Sequence, residues 1–134
     1  MEKSRKLFQQ SLVAWLAILA ANPVAADYCR VPDQVYGYVG GISDVAYAPG
    51  GAQIALGGLL GACVVDPTTG VITARCTGHW LRVTSVAFSP DGVYLLTASG
   101  DKTARLWEVS TGEEVRSFLG HTAWINAAGF SADG

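Results

Sequence analysis

The sequence predicts an all-β fold built from a repeated unit of four short antiparallel strands. Composition is the first reason: 134 residues hold 16 glycines and many short apolar runs, with half the residues hydrophobic and 15% charged, which suits short strands joined by tight turns. The second is an internal period of 41 or 42 residues. The third is that turn-forming residues recur at fixed places within that period.

The period shows in four matches. Gly78-His79 recurs as Gly120-His121, and Phe88-Ser89-Pro90-Asp91-Gly92 recurs as Phe130-Ser131-Ala132-Asp133-Gly134, both at an offset of 42. Asp44-Val45-Ala46-Tyr47-Ala48-Pro49-Gly50-Gly51 precedes its counterpart at Ser85–Gly92 by 41 residues. Asp66-Pro67-Thr68-Thr69-Gly70 precedes Glu108–Gly112 by 42. One residue is therefore missing from the upstream copy, and Gly57–Gly61 is the expected place.

The first element in chain order is not part of the repeat. Lys3, Arg5 and Lys6 precede the ten-residue apolar run Leu12–Ala21, Asn22-Pro23 ends any helix, and Val24-Ala25-Ala26 offers small residues for cleavage. Residues 1–26 are expected to be a signal peptide cut after Ala26. Ten apolar residues fall short of the roughly 20 that span a bilayer. Beyond Ala26 the chain has 6 basic and 10 acidic side chains and a single lysine, Lys102, a balance that argues against nucleic acid. The expected location is periplasmic or secreted.

Residues 27–41 form an N-terminal segment in which Val35-Tyr36-Gly37-Tyr38-Val39 alternates like a strand. Residues 42–77 are a degenerate first unit. Residues 78–119 are a complete one, with strands predicted over Val83–Phe88, Val93–Ala98, Thr103–Val109 and Glu114–Leu119. Turns at Ser89–Gly92, Gly100–Lys102 and Ser110–Gly112 separate them. Pro90 pre-sets the φ of its turn, and Gly92 tolerates the φ needed to close it. Residues 120–134 are expected to open a third unit.

Four antiparallel strands per repeat is the unit of a propeller blade. With Gly78-His79, Val86–Gly92, Ser99-Gly100-Asp101-Lys102-Thr103 and Arg105-Leu106-Trp107-Glu108 in place, the chain resembles the WD-repeat β-propeller family. The resemblance is strong over 78–121 and weaker upstream, where Val65-Asp66 replaces Trp107-Glu108. It implies an all-β propeller fragment of four-stranded antiparallel blades, which here follows the signal peptide expected from residues 1–26. It also implies that 35–39 is a ring-closing strand. About 2.6 repeats of 42 residues follow Ala26, against about 4 to 8 blades in closed propellers. More blades or self-association would then be needed to close the ring.

The resemblance further implies a structural hydrogen-bond relay of His79, Ser99, Asp101 and Trp107. An indole N–H only donates, a hydroxyl accepts and passes on, and an imidazole links it to a carboxylate. Thr97, two residues before Ser99 and on the same strand face, is the alternative hydroxyl. The upstream unit has no matching His or Asp, so packing alone is expected to hold it.

Ser, His and Asp together also invite a hydrolase reading. That chemistry needs an exposed nucleophile on a strained turn and an oxyanion hole. Ser99 lies in Thr97-Ala98-Ser99-Gly100-Asp101 with no Gly-x-Ser-x-Gly elbow, so no catalytic residue is assigned and no enzyme is expected within this chain. Cys63 and Cys76 flank the Asp66–Gly70 turn, and an exported chain meets oxidising conditions. A Cys63–Cys76 disulfide and two buried thiols stand as alternatives, because the pairing register is open by a residue or two. A zinc site of Cys63, Cys76, His79 and Cys29 matches no common ligand spacing. No metal and no cofactor is expected.

Residues after the Gly-His pair lie, by the resemblance, near the face that propellers use for binding. Trp80, Arg82 and Trp124 occupy that zone, and Trp and Arg are the types enriched at interface hot spots. The functional expectation is an exported, non-catalytic scaffold whose loop face holds a protein or peptide partner. The alternative is the leading propeller portion of a larger exported protein with an enzyme or haem domain farther along.

Overall fold

The computed structural model describes residues 41–59 and 61–134. The expected signal peptide, the strand at 35–39 and Cys29 lie outside the described residues. Eight strands succeed one another: β1 (Ile42–Tyr47), β2 (Ile54–Gly58), β3 (Gly61–Val65), β4 (Ile72–Cys76), β5 (Val83–Phe88), β6 (Tyr94–Ser99), β7 (Ala104–Glu108) and β8 (Glu114–Phe118). They form two four-stranded sheets, β1-β2-β3-β4 and β5-β6-β7-β8, with every neighbouring pair antiparallel. No helix among the described residues is long and apolar enough to cross a membrane.

The second and third strands of the complete unit begin one residue later than predicted, because turn chemistry holds the residue before each. Asp91 Oδ1 accepts the Val93 N–H at 3.0 Å, and Asp101 Oδ1 accepts the Thr103 N–H at 2.9 Å. The Ser89–Gly92 turn closes with Gly92 N–H donating to Ser89 O at 2.9 Å. Gly92 has φ +73° there, a conformation that glycine adopts without strain.

The one-residue difference between the units falls in the β2–β3 connection. Ala98 pairs with Ala104 across five intervening residues, whereas Gly57 pairs with Ala62 across four. The turn that carries Asp101 in the second sheet is thus replaced by a tight hairpin closed by the Gly58–Gly61 pair.

The sheets pack by complementary side-chain size. One face of the first sheet presents Ala55, Ala62, Ala74, Val64 and Cys76, and it meets Val83, Val86, Leu95 and Trp107 of the second. Small residues facing large ones let the layers interdigitate at native density. Gly57 marks the closest approach: a Cβ there would lie 2.8 Å from Cγ1 of both Val83 and Val86. The contact is fixed further by Asp44, whose Oδ2 accepts the Val86 N–H across the sheets at 2.9 Å.

Residues 120–134 contain no strand. A first strand is defined by its ladder to a second, and none of the described residues supplies that partner. The segment is nevertheless held on the second sheet. Ile125 N–H donates to Ser99 O at 3.3 Å, and Thr84 Oγ1–H donates to Ile125 O at 2.5 Å.

Candidate functional site

A buried polar relay crosses the second sheet. Trp107 Nε1–H donates to Thr97 Oγ1 at 2.8 Å, and Thr97 Oγ1 lies 2.8 Å from His79 Nε2. His79 Nδ1 lies 2.8 Å from Asp101 Oδ2. Since the indole can only donate, the Thr97 hydroxyl proton is free to go to Nε2, which leaves the imidazole proton on Nδ1 facing the carboxylate. The His79 ring meets Trp107 edge-on, with centroids 6.2 Å apart.

Ser99 was the expected hydroxyl of this relay, and the structure corrects that: Thr97 is the node. Thr97 pairs with Arg105, on the same strand as Trp107, in the middle of the β6–β7 ladder. Ser99 lies past the last pair of that ladder and serves the turn instead. It donates to Leu81 O at 3.0 Å and accepts the Asp101 N–H at 3.1 Å. Thr103, which sequence reasoning did not single out, donates its hydroxyl to Asp101 Oδ1 at 2.6 Å.

The electrostatics follow from burial and these contacts. Burial pushes the His79 imidazole below its ordinary value, against the opposing pull of Asp101, so the ring is neutral near pH 7. Burial alone would raise the Asp101 carboxyl. The Thr103 hydroxyl, His79 and the Thr103 N–H outweigh that and hold it down to about 2. Thr97 is completely buried, so this Thr-His-Asp set offers no substrate a nucleophile. Arg105, beside the relay, pairs with Glu114 at 2.7 Å. Gly78 lies close beneath it: a Cβ there would stand 2.5 Å from Arg105 Nη1 and 3.2 Å from the Trp107 ring, so the end of the Arg105 side chain would have to move.

The first sheet has apolar residues where the relay would be. At the 41- and 42-residue offsets Leu56 stands for Thr97 and Val65 for Trp107, and both are buried. Of the two alternatives for Cys63 and Cys76, the structure has the buried thiols and not the disulfide. Cys63 pairs with Arg75 and Cys76 with Ala62, one register step apart, so the two side chains stand on opposite faces of the sheet. Burial pushes the Cys63 thiol up to about 11 and the Cys76 thiol up to about 12, which removes thiolate reactivity at neutral pH. Among the described residues no group of three or more His, Cys, Asp and Glu side chains could hold a metal ion.

Around the relay, the chain ends of the blade carry exposed aromatic surface. Trp80, one residue after buried His79, is 78% exposed, and Trp124 is 62% exposed. The backbone ties these segments together. Trp80 N–H donates to Asp101 Oδ2 at 3.3 Å, and Gly100 N–H donates to Arg82 O at 3.0 Å. The Trp124 ring lies over Gly100, 3.3 Å from where a Cβ would stand. Arg82 Nε–H reaches Ser43 Oγ of the first sheet at 2.7 Å. Lys102, exposed on the same turn, has φ +71°.

Comparison with known proteins fits this geometry. Residues 70–108 match the family described as WD domain, G-beta repeat. The chain carries a WD repeat. The matched span includes the whole relay together with Trp80, Arg82 and Lys102. The chain is 34% identical over 87 residues to nuclear distribution protein PAC1-2 of Postia placenta, covering 51% of this chain and 20% of that protein. It is 35% identical over 101 residues to the guanine nucleotide-binding protein subunit beta of Zea mays, covering 65% and 27%. The β-propeller domain of Cps50 (Swd1) from Myceliophteria thermophila is similar in structure, with a TM-score of 0.62 and 26% identity over 66% of this chain and 28% of that one. The chain thus spans about a quarter of the length of the proteins it matches.

The three residues singled out for binding are brought to one end of the second blade, Trp80 and Arg82 from within the WD repeat and Trp124 from the segment that follows it. Lys102 and Leu81, the latter 45% exposed, join them and were missed. The signal for Lys102 was available, as it is the only lysine after residue 26 and stands in a predicted turn. Ser43 and Asp44, which bridge the sheets, gave no comparable signal, because their partners lie 39 and 42 residues away.

Proposed function

We propose that this chain is part of an exported, non-catalytic WD-repeat scaffold that holds a protein partner at the loop end bearing Trp80, Arg82 and Trp124. The observation that carries the reading is the adjacency of His79 and Trp80. A side chain locked in a buried relay is followed directly by the most exposed tryptophan among the described residues. Large aromatic surface on a rigid support is the arrangement that interface hot spots use. The relative from Zea mays is named as a subunit, which agrees with membership of an assembly. Export rests on the charge pattern and apolar run of residues 1–26.

The test is chemical crosslinking of the chain in its native envelope, followed by capture with the wild type and with Trp80→Ala. A partner that crosslinks to the wild type and is lost from the variant supports the scaffold. Equal capture by both would remove Trp80 from the surface. Protein recovered from the envelope should begin at Asp27, and an intact Met1 terminus would refute cleavage.

A further inference from the structure

Antiparallel strands alternate in direction, so the connections sort into two ends. The β2–β3 hairpin, the β4–β5 link, the β6–β7 turn and the segment Gly120–Ile125, which is bonded to Ser99 and Thr84, gather at one end. The β1–β2, β3–β4, β5–β6 and β7–β8 turns gather at the other. Among the described residues the two ends carry opposite charge. The first end exposes Arg82 and Lys102, while its one loop carboxylate, Asp101, is buried and spent on His79, Thr103 and Trp80. The turns of the other end carry Asp66, Asp91 and Glu113 and no lysine or arginine.

Lys102 adds a second observation. It is the only non-glycine residue with positive φ among the described residues. Nine described glycines besides the last residue occupy such positions, so a lysine is kept where a side chain is strained. That places an ammonium group on the turn against which Trp124 packs and to which Trp80 is bonded. Arg82 uses Nε on Ser43, and among the described residues nothing is bonded to its terminal N–H groups, which suit a carboxylate.

We propose that the end formed by Trp80, Arg82, Lys102 and Trp124 docks an acidic peptide segment of the partner, with its carboxylates on Lys102 and Arg82 and an apolar side chain laid against Trp80. This rests on the scaffold reading above and names the chemistry of what that scaffold holds. Charge complementarity supplies orientation and exclusion of basic segments, and the aromatic surface supplies contact area.

The experiment is selection of a phage-displayed random dodecamer library on the full chain, with the same selection on Lys102→Glu and Trp80→Ala. Circular dichroism confirms the fold of each variant. Selected peptides should be enriched in Asp and Glu together with Leu, Phe or Trp. Their affinity should fall about tenfold in each variant and about fivefold between 0.05 and 0.5 M salt. Peptides without acidic bias, or bound equally by Lys102→Glu, would overturn the inference and leave the scaffold reading standing. A library that yields no binder would count against both. Self-association abolished by Asp91→Asn would assign the basic end to a second copy's acidic end and overturn the peptide assignment.

Discussion

Thr97→Val is the sharpest test of how the second blade is held. The substitution keeps shape and removes one hydroxyl, and that hydroxyl accepts from Trp107 Nε1 at 2.8 Å and reaches His79 Nε2 at 2.8 Å. Trp107 Nε1 and His79 Nε2 are then buried without this partner, at about 1–3 kcal/mol each, so the loss should be about 2–6 kcal/mol. Against a total of about 5–15 kcal/mol for an ordinary domain, that is a large fraction. Thr97→Ser retains the node and loses one methyl, for about 1 kcal/mol. Ser99→Ala frees only the Asp101 N–H and Leu81 C=O, for about 1–2 kcal/mol. Urea unfolding followed by tryptophan fluorescence gives the three values, provided the slope with denaturant stays constant. If Ser99→Ala costs more than Thr97→Val, or if Thr97→Val is neutral, the relay does not run through Thr97 and the blade is held in some other way.

Acid should weaken the fold in two windows. The His79 value is depressed from 6.5, so its contribution is complete above that pH and is lost as pH falls below it. The Asp101 value is lowered from 3.8 to about 2, so its contribution is lost between those values, and thermal melts of Asp101→Asn should show a shallower slope than the wild type in the lower window, where Asp66, Asp91 and Asp133 still titrate. Gly57→Ala should destabilise by about 1–3 kcal/mol through overpacking, and Val86→Ala in the same chain should recover part of it; additive losses in urea titration would sink the close-contact argument. Cys63 and Cys76 should resist iodoacetamide in the native state and react fully in denaturant without reductant. A peptide linking the two in mass spectrometry would show that the register is misplaced.

Strands and turns were legible because their determinants are local. Val83–Phe88 was bounded by Gly78-His79 on one side and Ser89–Gly92 on the other, and the turn residues set their own geometry through hydrogen bonds two residues away. Ser99 against Thr97 was not decidable in the same way. Both lie on one strand face, and only the pairing of Thr97 with Arg105 places its hydroxyl under Trp107. The cysteines pose the same problem, since one register step decides whether two residues on adjacent strands share a face. The loss of the relay upstream was legible, but its replacement was not. Leu56 and Val65 fill the volume with apolar groups, and removing both sides of a buried polar contact in this way leaves nothing unsatisfied.

The relay and the exposed end are coupled through one carboxylate. Asp101 Oδ2 takes His79 Nδ1 at 2.8 Å and the Trp80 N–H at 3.3 Å, so the group that satisfies the buried imidazole also anchors the backbone of the exposed tryptophan. With His79 neutral, Asp101 keeps its negative charge beneath the surface, and the net positive character of that end is set by Arg82 and Lys102 against this one buried carboxylate. The first blade shows the converse. Its shortened β2–β3 hairpin has lost the turn that would carry the aspartate, and the two apolar positions Leu56 and Val65 hold its interior with no link to the surface. Among the described residues, rigid presentation of an aromatic side chain by a relay is found in the second blade. Asp101→Asn should consequently weaken peptide binding more than its distance from the peptide would suggest.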